Sequence, residues 1–161
     1  MPSSVKITGE TKGLDELLKN VSTKLVAKVG IFGDKNQRDD GELTNADIGA
    51  IHEFGSFSKG IPRRSFLKDP ITLKRKELLK KAKSIIADNI DKKNGDEKIF
   101  ELIGIYGESI VQEAFETGGF GMWEAISPAT AEKKNSTQIL IDTSQLRRAI
   151  ISKTDKRNGT T

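Results

Sequence analysis

Cysteine is absent from this 161-residue chain, and histidine occurs once, at His52. The first absence excludes a disulfide framework, thiolate metal sites and cysteine nucleophiles; the second excludes metal sites built from several imidazoles. A serine triad would have only His52 for its base, and no spacing of Ser65, Ser127 or Ser144 favours one. His52-Glu53 likewise lacks the second histidine of a zinc-protease helix. Aromatics are 6 % of residues, too few to interleave with bases along a nucleic acid. No apolar run approaches the ~20 residues that cross a bilayer. The opening residues MPSSVKITGE carry no signal-peptide core, so the expectation is a protein made in a cytoplasm with no membrane partner. The carboxylates fall in loops and on helix surfaces, without a pair in apolar surroundings that would raise a pKa for acid–base work. Neither catalysis nor a cofactor is expected.

What is present is charge, 31 % of residues, and it is segregated. Residues 34–53 hold six carboxylates against two cations, and residues 59–93 hold twelve cations against four carboxylates. Residues 94–124 then hold seven carboxylates against Lys98, and the remainder from Lys133 is basic again. Two arrangements use such a pattern: oppositely charged helices packed together within one chain, or complementary patches that join copies head to tail, closing a ring when the rotation allows.

Periodicity orders the chain as follows. Val5 to Thr8 alternates as a short strand, and Leu14, Leu17, Leu18, Val21 and Leu25 recur at helical spacing, which predicts an amphipathic helix from Thr11 to about Lys24. LVAKVGIF, residues 25–32, reads as a buried strand ending at Gly33. DKNQRDDGEL, residues 34–43, is a polar loop, because its acidic residues lack the alternate spacing and closing glutamate of a calcium loop. Helices are expected over residues 69–91, with a stripe of Leu78, Ala82, Ile85, Ile86 and Ile90, and over residues 96–117. Asn94-Gly95 between them makes an antiparallel pair, and Gly104 and Gly107 leave room for a neighbouring backbone. TGGFGMWEAIS, residues 117–127, lacks the Gly-Lys-Ser/Thr ending of a phosphate loop and follows a helix. Its glycines suit a mobile arm carrying Phe120, Met122 and Trp123 as interface anchors, the alternative being that Trp123 folds back onto the core. Ser127-Pro128 opens a short helix to Lys134, residues 138–142 form a strand, Thr143 caps a turn through Arg148, and residues 149–153 form a last strand. The fold class expected is α/β in the α+β sense: a small mixed or antiparallel sheet flanked by helices, in one domain over residues 1–154 with a flexible tail at 155–161.

The densest local signals lie in ADIGAIHEFGSFSKGIPRRSFLK, residues 46–68. Thr44 can cap a helix with Asp47 as reciprocal partner, and Ile48, Ile51 and Phe54 then fall near one face. Gly55 ends that helix, Pro62 holds Ile61 extended, and structure resumes at residues 65–67. The phrases IHEFG and IPRRSFL, followed later by Trp123, SPAT at 127–130 and ILIDTSQLRRAI at 139–150, resemble the tail-completion and tail-terminator proteins of tailed bacteriophages, the head-to-tail joining and virion-morphogenesis group. The residues carrying the resemblance are His52, Glu53, Phe54, Gly55, Pro62, Phe66, Asp142, Thr143 and Leu146. Ser144 stands where that family commonly has glycine, and Ala149 where it often has serine.

The resemblance implies a structural virion protein at the head-proximal end of the tail, assembled in the host cytoplasm as a homo-hexameric ring. Its partners would be copies of itself, the major tail tube protein and a head-side neck or connector protein. Arg63 and Arg64, or Arg147 and Arg148, would line a lumen with transient DNA contact. A second class, a non-specific nucleic-acid module using residues 59–93 to track phosphates, stands beside it.

Overall fold

Alternation and β-branched residues make the first strand, β1 (Leu25–Ile31), which pairs antiparallel with β2 (Ile150–Lys156) in a register running from Leu25 opposite Lys156 to Ile31 opposite Ile150. The computed structural model describes residues 24–38, 43–90, 95–126, 132 and 144–156. The strands expected at 5–8 and 138–142, the helix expected over most of 11–24 and the one opened by Ser127-Pro128 lie outside the described residues. β2 continues through Lys156, with Lys28 Nζ 3.0 Å from Asp155 Oδ2, so the tail expected to fray from Asp155 begins as paired strand.

The described residues between the strands include five α-helices, giving a mixed α+β fold: α1 (Asn45–Phe54), α2 (Lys68–Leu73), α3 (Arg75–Asn89), α4 (Gly95–Glu116) and α5 (Gln145–Ala149). The single helix expected over 69–91 is two, because Lys74 leaves helical geometry at φ −87°, ψ 12°. Its N–H closes α2 by donating to Pro70 O at 2.9 Å. The long pair α3 and α4 packs antiparallel through Ile85, Ile86 and Ile99, with Phe100 and Ile103 alongside.

Two paired strands are marginal on their own, and for the two among the described residues α4 supplies the cover. Gly104 and Gly107 make the close approach: a Cβ at Gly104 would lie 3.2 Å from Ser152 Cβ, and one at Gly107 3.2 Å from Val29 Cγ2. Glu108 accepts the Ser152 N–H at 2.6 Å, tying helix to strand. The main core gathers Phe66, Val111, Ala114, Phe115, Trp123, Leu146 and Ile150 between α4, α5 and the loop entering α2.

Candidate protein interface

Thr44 and Asp47 form the reciprocal cap that starts α1: Asp47 N donates to Thr44 Oγ1 at 3.2 Å, and Thr44 N donates to Asp47 Oδ2 at 3.0 Å. The Thr44 hydroxyl, also donating to this carboxylate, holds the Asp47 pKa below its ordinary value. Behind the cap, buried Asn45 donates to Lys35 O and Gln37 O, pinning the preceding loop.

At the other end of α1, Glu53 is 7 % exposed, and its carboxylate is the centre of the region. It accepts from Ser65 Oγ at 2.7 Å, Phe66 N at 2.9 Å, Leu67 N at 3.0 Å and Lys68 N at 3.1 Å. A single side chain of the IHEFG phrase thus satisfies three successive backbone donors, Phe66 to Lys68, as the chain turns into α2, and hydrogen bonds to a charged group are the strong ones. Composition and periodicity placed every carboxylate in a loop or on a helix surface; Glu53 overturns that, because polar donors arriving from twelve residues downstream make its burial tolerable.

The clamp fixes a loop between its two arms. Arg64 N donates to His52 O at 2.8 Å, and Ser56 and Ile61 exchange two backbone hydrogen bonds of 2.9 Å. Gly55 at φ 77° brings the two ends of the loop together where a Cβ would meet Arg63 N at 3.0 Å. What the clamped loop presents is aromatic: Phe54 is 74 % exposed and Phe57 fully exposed. Phe54, expected on the buried face with Ile48, therefore points outward, and Phe57, set between polar neighbours, belongs to no apolar pattern in the sequence.

Of the two expectations for Phe120, Met122 and Trp123, a mobile arm or Trp123 folded back onto the core, the structure has the second, made by a tight turn. Gly118, Phe120 and Gly121 have positive φ, and Trp123 N donates back to Gly118 O at 3.0 Å. A Cβ on Gly119 would overlap the indole, so this glycine makes room for Trp123 to fold inward. The indole packs edge-on against Phe115 at 5.7 Å and donates to Ser65 O at 3.0 Å. Phe120 is half-buried, with Lys74 Nζ 5.1 Å from its ring centre, and Met122 alone of the three stays exposed.

Arg63, Arg64 and Arg147 make contacts within the chain. Arg64 is buried and donates to Glu124 O at 2.9 Å, its pKa lowered by burial. Arg63 makes a two-pronged pair with Asp69 at 2.6 and 2.8 Å, which lowers the Asp69 pKa. Arg147 joins α5 to Gln112 and Glu116 of α4. Arg148 is exposed. Pro62 sits half-buried in the clamped loop, Phe66 and Leu146 are core, and Asp142 and Thr143 lie outside the described residues. Among the described residues no three His, Cys, Asp or Glu side chains come close enough to hold a metal ion, and no helix is long and apolar enough to cross a membrane.

Compared with protein-family models, curated proteins and solved structures, the chain matches none.

Proposed function

We propose that this protein is a structural component of a phage tail, capping the tube at its head-proximal end and joining it to the head as a ring of copies. One observation carries the reading. The phrases that resemble tail-completion proteins, spread over about a hundred residues, converge: Glu53 clamps Ser65 and Phe66, Trp123 donates to Ser65 O, and Phe66, Trp123 and Leu146 share one core. A second observation agrees. The position where that family commonly carries glycine, Ser144 here, has a left-handed backbone at φ 59°, the conformation glycine adopts without strain.

On this reading the partners are the major tail tube protein and a head-side connector, and the clamped loop with Phe54 and Phe57 is a contact surface for one of them. Exposed aromatics on a rigid support lose little freedom when they dock. The test is electron microscopy of particles assembled without this protein. Abnormally long tails and unattached heads are expected, whereas tails of normal length joined to heads would overturn the proposal.

A further inference from the structure

The helix pair exposes two faces of opposite charge. Lys76, Lys80, Lys83 and Ala87 follow one another at three- and four-residue steps, with Leu79 three residues after Lys76 and four before Lys83, so they form one stripe on α3 with no carboxylate in it. On α4 the matching steps give Glu97, Glu101, Ile105, Ser109, Glu113 and Glu116. Each stripe carries one aliphatic side chain left substantially in water, Leu79 at 46 % and Ile105 at 50 % exposure. The two stripes do not neutralise each other within the chain. α3 and α4 meet through isoleucines; of the ion pairs on these helices, Lys74–Glu77 and Lys98–Glu101 link residues one turn apart, and Arg147–Glu116 ties the last carboxylate of the α4 stripe to α5, so none among the described residues joins the lysine stripe to the carboxylate stripe. None of Lys76, Lys80 and Lys83 has an ion-pair partner among the described residues.

We propose that the lysine stripe of α3 in one copy docks on the carboxylate stripe of α4 in another, with Leu79 and Ile105 at the centre of the contact. This rests on the reading of the protein as a ring of copies and names the faces that would join them. A second copy fits better than any other occupant because one chain carries both halves of the match: charge of opposite sign and an exposed apolar residue within each charged row. Complementary rows of this kind set register and speed encounter, while the buried aliphatics resist dissociation.

Charge reversal tests it on the full chain. One variant carries Lys76→Glu, Lys80→Glu and Lys83→Glu; the other carries Glu97→Lys, Glu101→Lys and Glu113→Lys. Each alone has stripes of like sign, so its self-association, followed by light scattering and sedimentation, should weaken about tenfold or more at low salt, as repulsion at an interface costs several kcal/mol. Mixed one to one, unlike copies meet complementary faces in both directions, and assembly should return. Circular dichroism establishes that both variants are folded; if either is not, Leu79→Asp and Ile105→Lys, at exposed positions, replace them. Variants that associate like the wild type, a mixture that stays apart, or a wild type that remains a monomer and binds duplex DNA through these lysines would each overturn the proposal. The outcome is separable from the tail assay: self-association through these faces with normal tails in the protein's absence would sink the tail role alone.

Discussion

Glu53 and Ser144 carry the two sharpest consequences of single side chains. Glu53→Ala leaves three backbone N–H groups and the Ser65 hydroxyl without their acceptor in a closed setting, at about 1–3 kcal/mol for each buried group left unsatisfied. Partial rescue by water brings the expected loss to about 3 kcal/mol, read as a lower urea midpoint at unchanged slope. Ser144→Gly acts in the opposite direction. A left-handed backbone costs a non-glycine residue about 1–2 kcal/mol, so the glycine variant should unfold at higher urea by about 1 kcal/mol, less the extra entropy glycine gains when unfolded. The position was identifiable in the sequence as a departure within a turn; the sign of its effect required the dihedral angle. Glu53 was identifiable only as part of a phrase, because the groups that make its burial favourable come from another segment.

Among the elements, the contact of α4 with the sheet and the junction of the clamped loop with α2 each make a checkable statement. Gly104→Ala gains about 1 kcal/mol of helix propensity but presses on Ser152 Cβ, which is rooted in the β2 backbone and cannot rotate away. Gly107→Ala presses on Val29 Cγ2, the end of a side chain. The first should therefore destabilise by about 1 kcal/mol net and the second by less, a ranking that thermal melts can check. At the junction, the Arg63 pair holds Asp69 ionised to lower pH than usual. A lowered folded-state pKa means this contribution is complete above the ordinary aspartate range and is lost as pH falls through the lowered value. Arg63→Gln should be less stable than wild type near neutral pH, with the two converging in acid; urea midpoints across a pH series measure it. Asp47 and Asp155 are shifted the same way by Thr44 and Lys28, so some acid sensitivity survives in the variant. The helices, the Thr44 cap and the room beside Gly104 were legible from spacing, whereas the break at Lys74 was not, since no proline or glycine marks it.

For the whole molecule, the clamped loop predicts separation of stability from assembly. Phe57→Ser removes a ring that is already in water, so the melting temperature should stay within a degree or two, while, under the proposed tail role, joining of heads to tails should fall. Normal joining by this variant would remove the loop from the contact surface. The local grammar of the chain, its caps, its strand and helix periods and its segregated charge, was written in neighbouring residues and could be read there, because those effects act over one or two turns. Whether Trp123 faced solvent or core, whether Phe54 was buried, and why Glu53 follows His52 depended on groups brought together from more than ten and up to about sixty residues away. Glycine-rich sequence permits a mobile arm and a tight inward turn equally; the choice fell to the indole's packing on Phe115 and its hydrogen bond to Ser65, contacts that exist only once the chain has folded.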